Sequence, residues 1–155
     1  PNPKAKYTIL YSHGNADDLG RIYPLLQQFQ HWGLNVASYD YQGYGTSPGK
    51  PSEIGCYNDI NAVYDFLTKE QKIAPQNIIL FGRSLGSGPT VDLATKQPIG
   101  GVILEGAFVS VYRVITYIPI FMFDKFNNIA KINIAVFKNK IAKIACDDIK
   151  LCHLF

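Results

Sequence analysis

The chain has little charge, and what it has is spread evenly. Only 17% of its 155 residues are charged, and residues 1–122 hold nine basic and nine acidic side chains. Because a nucleic-acid binder needs a basic stripe or patch, this neutral body argues against nucleic acid as a partner. The net charge of +3 arises in residues 123–155, where six lysines stand among isoleucines and asparagines, a pattern typical of a solvated face.

Cysteines and long apolar runs are also scarce. Three cysteines without a C-x-x-C pair do not predict a disulfide framework, and they indicate a reducing, cytoplasmic compartment. Metal-ligand residue types gather near one end, at Cys146, Asp147, Asp148, Cys152 and His153. Their spacing matches no common site, so we expect no metal and no cofactor.

The longest apolar stretch, residues 114–123, is interrupted by Pro119 and is about half as long as a bilayer-spanning helix. No signal peptide follows Pro1, and a first residue other than Met indicates numbering that begins inside a longer chain. These observations favour a globular domain over a membrane-spanning one.

What the sequence does contain is a regular alternation of strand and helix patterns. Short apolar runs predict strands at 6–12, 34–39, 78–81 and 101–104. Apolar periodicity predicts helices at 19–31, 53–69 and 85–96, the second capped by Ser52. Alternation without hairpin signals predicts an α/β fold with a mostly parallel sheet.

One turn in this pattern has the form of a nucleophile elbow. Gly82-Arg83-Ser84-Leu85-Gly86 follows an apolar strand and opens a helix, which is the context that a G-x-S-x-G motif requires. Ser84 is the predicted nucleophile, presented on a strained turn. We expect glycine at positions 82 and 86 because a Cβ there would collide with neighbouring backbone.

A second element supports the first. Tyr11-Ser12-His13-Gly14-Asn15-Ala16 ends another apolar run and lies upstream, where such a hydrolase places its second oxyanion donor. Two nucleotide-binding interpretations fail on spacing. The glycines at 43 and 45 lack the third glycine of a dinucleotide fingerprint, and residues 82–87 lack the lysine of a P-loop.

Several segments together give the chain a family resemblance over residues 5 to about 132. They are Tyr11–Ala16, Ser38–Gly45, Pro51–Glu53, Ile78–Gly86, Thr90–Ala94 and Phe123–Ile129. In these segments the chain resembles the α/β-hydrolase superfamily, closest to the alpha/beta-hydrolase-domain group of membrane-associated depalmitoylases. The resemblance implies a serine hydrolase that cleaves acyl thioesters or esters of acylated proteins or small substrates. It also implies peripheral association with the cytoplasmic face of membranes.

The resemblance assigns roles residue by residue. Ser84 would attack the acyl carbonyl, and the backbone N–H groups of Asn15 and Leu85 would bind the oxyanion. His13 and Gly14 would support the oxyanion loop, as Gly82 and Gly86 support the elbow. We expect His13 to hold its loop rather than to transfer protons, and Asp40 to anchor a loop through Asx-type bonding.

The resemblance weakens after Ile132. We therefore divide the chain into a partial hydrolase core, residues 1–132, and a divergent Lys/Ile-rich tail, residues 133–155, with the sheet incomplete on the C-terminal side. The acid and histidine of a triad are not recognisable, because Asp147, Asp148 and His153 stand too close together to leave room for a strand and helix. Glu105 is the better acid by position. A catalytically incomplete binding module or a truncated product is the alternative.

Overall fold

The predicted alternation of strands and helices forms a parallel α/β sheet. The computed structural model describes residues 2–107 and Lys131. In this part of the chain the strands are β1 (Thr8–Ser12), β2 (Asn35–Ser38), β3 (Ile78–Arg83) and β4 (Gly101–Glu105). They lie in the order β2-β1-β3-β4, and every neighbouring pair is parallel. The predicted fold class is confirmed.

The helices are α1 (Leu19–His31), α2 (Glu53–Asp65) and α3 (Ser87–Lys96). The Ser52 hydroxyl caps α2 as predicted, since it accepts a 3.0 Å hydrogen bond from the Gly55 N–H. Two helix bounds differ from the prediction. Residues expected to extend α2 to position 69 form a π-helix, Phe66–Glu70, and the helix expected from position 85 begins only after a 3₁₀ turn, Ser84–Gly86.

The strands pack side chains on both faces of the sheet, because these side chains alternate between two apolar clusters. Leu10, Leu80 and Val102 join the cluster that includes residues of α2 and α3. Ile9 and Tyr11 join the cluster built on α1. Burial on both faces is what a parallel sheet with crossover helices requires, and it explains the nearly continuous apolar runs of β1 and β3.

Parallel register brings the functional candidates to one edge of the sheet. Ser12 pairs with Gly82, and Arg83 pairs with Glu105, so the carboxyl ends of three strands lie side by side. In an open α/β sheet, ligands bind outside this edge. The chain segments that follow β1 and β3 are therefore neighbours.

Lys131 connects a distant part of the chain to α3. Its Nζ lies 2.7 Å from Oδ1 of Asp92, whose side chain is only 4% exposed, and 4.3 Å from the centroid of the Tyr57 ring. Lys96 donates to the other oxygen of the same carboxylate at 2.6 Å. Two cations thus neutralise the buried Asp92.

An apolar cavity of about 290 Å³ opens on the α1 face of the sheet. Its lining includes Ile9, Leu34, Ile79 and Ile103. Ile79 is five residues before Ser84 along an extended strand, a separation of about 16 Å. The cavity is therefore remote from the predicted nucleophile. Within the described residues, no helix has the length and apolar character needed to cross a bilayer.

Candidate active site

Ser84 occupies the strained turn that its motif predicts. Its φ is +48°, in the left-handed region that non-glycine residues seldom adopt, at the junction of β3 and the 3₁₀ turn. The side chain is exposed at the carboxyl edge of the sheet. A strained backbone at an exposed serine is the presentation that a nucleophile elbow requires.

The two elbow glycines are needed because other backbone lies against them. A Cβ at Gly86 would lie 2.0 Å from the carbonyl oxygen of Ser12. A Cβ at Gly82 would lie 2.6 Å from the Thr90 hydroxyl and 2.7 Å from the Gly86 carbonyl oxygen. At both positions the added Cβ would collide with backbone atoms, which cannot move aside by rotating a side chain. This is the steric reason that the sequence predicts for the two glycines.

The same close approach brings the two sequence motifs together. Gly86 lies against the backbone of Ser12 and His13, and a Cβ at Gly14 would lie 3.7 Å from Cβ of Ser84. The loop after β1 thus borders the serine directly.

Two backbone N–H groups suit an oxyanion. Asn15 is the second residue of a turn closed by the 3.2 Å bond from the Asp17 N–H to the Gly14 carbonyl, a position whose own N–H is not used by the turn. Within residues 2–107, no hydrogen bond uses the Asn15 N–H. Leu85 is at the start of the 3₁₀ turn, where the first N–H groups have no intrahelical partner.

His13 is fully buried beneath this loop. Its Nδ1–H donates to the Gly14 carbonyl at 2.9 Å, and its Nε2 lies 3.3 Å from Oδ1 of Asp40 without the alignment of a hydrogen bond. The ring also packs on Tyr41, with 4.6 Å between centroids. A ring held in this way ties the loop to the residues that pack around it.

Asp40 anchors a loop through a contact that the sequence analysis did not identify. Its Oδ1 accepts from the Leu19 N–H at 2.9 Å, which ties the loop after β2 to the first turn of α1. A Cβ at Gly45 would lie 2.2 Å from its Oδ2, so the following loop wraps around the carboxylate. The bond spans 21 residues of chain instead of the local Asx-type turn that we expected.

Three tyrosines in this loop contact the segment 12–15 and were not predicted as site residues. Tyr39, Tyr41 and Tyr44 follow β2 closely, and each places its hydroxyl against the segment 12–15. Burial raises the pKa of all three, so their hydroxyls stay protonated at neutral pH. The only signal in the sequence was their density, three tyrosines in six residues at a strand end.

A general base for Ser84 is not found among the described residues. His31 ends α1, about 20 Å along that helix from its start near Asp40. Glu105 is half exposed at the end of β4, with its Oε2 3.9 Å from Nε of Arg83. That contact is a loose surface ion pair of small energetic value, which leaves the carboxylate available.

The remaining candidates lie outside the described residues. They are the possible triad residues Asp147, Asp148 and His153. The longest apolar stretch, 114–123, and the boundary at residue 132 also lie outside the described residues. Among residues 2–107 and Lys131, no three His, Cys, Asp or Glu side chains are grouped as metal ligands would be.

The sequence of the chain matches known hydrolases. The model of the family described as serine aminopeptidase, S33, matches residues 3–152. The chain is 43% identical over 138 residues to mouse (Mus musculus) alpha/beta hydrolase domain-containing protein 17C, covering 84% of this chain and 42% of that protein. It is 44% identical over 115 residues to alpha/beta hydrolase domain-containing protein aho-3 of Caenorhabditis elegans, covering 74% of this chain and 35% of the relative. The chain thus spans less than half the length of these curated relatives.

Solved structures share the fold. An alpha-beta hydrolase from Vibrio vulnificus superposes with a TM-score of 0.71 at 20% identity, covering 89% of this chain and 66% of that one. A carboxyl esterase from Bacillus coagulans superposes with a TM-score of 0.59 at 21% identity, covering 68% of this chain and 37% of the esterase. With the parallel sheet, these matches confirm the resemblance: the chain belongs to the α/β-hydrolase superfamily, in the serine aminopeptidase S33 family, and is similar to the alpha/beta hydrolase domain-containing protein 17 group.

Proposed function

We propose that the chain is a serine hydrolase in which Ser84 is the nucleophile and the N–H groups of Asn15 and Leu85 form the oxyanion hole. The observation that carries this proposal is the left-handed backbone of the exposed Ser84, between a strand and a helix and bordered by the loop after β1. Strain of this kind persists only where surrounding structure imposes it, and it is concentrated at functional sites.

The chemistry follows from this arrangement. The Ser84 Oγ attacks the acyl carbonyl carbon as its proton passes to a base, and the carbonyl oxygen becomes an oxyanion that accepts hydrogen bonds from the two N–H groups. The thiolate or alkoxide leaves with a proton, and an acyl-serine remains. Water then attacks the acyl-serine and releases the carboxylic acid, which regenerates the hydroxyl.

A fluorophosphonate probe tests the nucleophile, because it modifies only activated serines. We expect labelling of the wild-type chain and none of Ser84→Ala, with hydrolysis of a p-nitrophenyl acyl ester reduced on the order of a millionfold or to background. Ser47→Ala is the matched control, since Ser47 is a serine of the neighbouring loop whose hydroxyl donates to the Asp40 carbonyl. Equal labelling of wild type and Ser84→Ala would refute the proposal.

For the substrate we propose acylated cysteine thioesters, so that the reaction is protein depalmitoylation. Support comes from the similarity to the alpha/beta hydrolase domain-containing protein 17 group and from the family resemblance of the residues themselves. A palmitoyl-thioester peptide and the matched serine oxygen ester should be compared directly. Faster turnover of the oxygen ester would argue for an esterase.

We propose action at the cytoplasmic face of membranes, where acylated proteins are held. The same peptide, presented on liposomes and in detergent, gives the test. Preferential hydrolysis on liposomes is expected, and loss of activity on liposomes would count against this location.

A non-catalytic binding module is the second candidate, and one observation favours it. Both histidines in the described part of the chain are committed elsewhere, His13 under the oxyanion loop and His31 to the Gln27 carbonyl. Such a module would bind a fatty-acyl ligand saturably without reacting with the probe. Absence of both binding and labelling would exclude it.

A further inference from the structure

The loop after β2 holds the segment 12–15 through three tyrosine hydroxyls. The Tyr39 and Ser12 hydroxyls share a hydrogen bond of 2.9 Å. The Tyr41 hydroxyl donates to the His13 carbonyl, also at 2.9 Å. The Tyr44 hydroxyl donates to Oδ1 of Asn15. The first two bonds hold buried residues, whereas the third reaches the exposed Asn15.

Asn15 needs such a restraint more than the other two residues. Ser12 ends a strand and His13 is buried, so packing already determines their positions. Asn15 is exposed in a turn, and the direction of its N–H depends on the rotation of the peptide that joins it to Gly14. The carbonyl end of this peptide is already held, because the Gly14 oxygen accepts from the His13 Nδ1–H at 2.9 Å and from the Asp17 N–H at 3.2 Å. The Tyr44 bond adds a restraint at the Asn15 end.

Tyr44 is itself firmly held. Its N–H donates to the Tyr41 carbonyl at 2.8 Å, and its carbonyl accepts from the Ser47 N–H at 2.8 Å. Its ring stands edge-on to Tyr41, with 5.4 Å between centroids, and lies 5.8 Å from the His13 ring. A ring held in this way can therefore restrain the exposed Asn15 side chain that its hydroxyl contacts.

We propose, on the basis of the function above, that Tyr44 is a positioning residue whose bond to the Asn15 side chain keeps the Asn15 N–H directed at the oxyanion. The bond limits rotation of the Asn15 side chain and, through Cα, of its peptide group. Tyr44 touches no reacting atom, and its effect on the reaction passes through Asn15. Preorganisation of this kind matters because a misdirected donor loses its preference for the transition state.

The variant Tyr44→Phe removes the hydroxyl and keeps the ring. Loss of a whole oxyanion donor costs about 100-fold or more in turnover, so partial misdirection should lower kcat about tenfold and leave KM unchanged. Tyr23→Phe is the matched control, because Tyr23 is an exposed tyrosine on the surface of α1. Equal melting temperatures for the two variants would show that the loss of kcat does not come from unfolding.

A double-mutant cycle separates positioning from general weakening. Asn15→Ala removes the acceptor and keeps the N–H, so it should lower kcat as much as Tyr44→Phe, and the double variant should be no slower than either. The proposal is wrong if the kcat losses of the two single variants multiply in the double variant, or if Tyr44→Phe has the wild-type kcat. Neither result would contradict the proposed serine hydrolase function.

A second readout does not depend on activity. The ¹⁵N order parameter of the Asn15 amide should fall in Tyr44→Phe below a rigid value of about 0.85, and it should not change in Tyr23→Phe. An unchanged order parameter would refute the positioning role even if Ser84 proved inactive. Failure of Ser84 to label would, by contrast, refute the proposed function alone.

Discussion

The two halves of the candidate site are held in different ways. The elbow, residues 82–86, is shaped by backbone packed against backbone, with Gly86 in contact with Ser12. The loop proposed to bind the oxyanion, residues 12–15, is held by hydroxyl groups from a separate loop. The elbow therefore tolerates no added atom, while the loop depends on individual hydrogen bonds that can be removed one at a time.

The largest expected effect comes from adding one carbon to the elbow. In Gly86→Ala the new Cβ would have to displace the Ser12 carbonyl, which overpacks a buried site, and we expect the free energy of unfolding to fall by about 3 kcal/mol. Urea unfolding of the wild type and of Gly86→Ala measures this change in the free energy of unfolding. Gly101→Ala is the control, since its Cβ would meet only Ile79 Cδ1 at 3.5 Å. Equal stability of the two variants would mean that the elbow is not rigidly packed.

A smaller effect is expected from removing one support of the loop. Tyr41→Phe leaves the buried His13 carbonyl without the hydroxyl that donates to it, and the free energy of unfolding should fall by about 1–2 kcal/mol. Thermal unfolding of Tyr41→Phe and of the control Tyr23→Phe compares their stabilities. A loss as large as that of Gly86→Ala would remove the distinction between the two regions.

The smallest expected effect is a gain in stability. Ser84→Gly relieves the left-handed backbone and should stabilise the fold by roughly 0.5–1 kcal/mol while abolishing probe labelling. Lys72→Gly is the control, because Lys72 is the other non-glycine residue in the described part of the chain with positive φ, at +56°. It should gain similar stability and keep the labelling. A destabilised Ser84→Gly would show that the hydroxyl contributes to the fold.

Much of the elbow was predictable because its signals are local. Apolar periodicity located all four strands to within two residues, and the glycines at 82 and 86 indicated close backbone approach before any partner was known. The 3₁₀ turn that delays the start of α3 to Ser87 was not predicted, because the Ser84 turn depends on the packing of β1 against the elbow.

The sequence by itself determined the α/β class, the strand and helix order, the position of the strained serine, and the loop beside it. Each of these follows from side-chain periodicity or from a short motif. Only the tertiary structure decided that Asp40 contacts His13 and α1, and that Tyr44 reaches Asn15. These contacts join residues 21 to 29 positions apart, and they depend on the parallel register of β1 and β2, which no local pattern specifies.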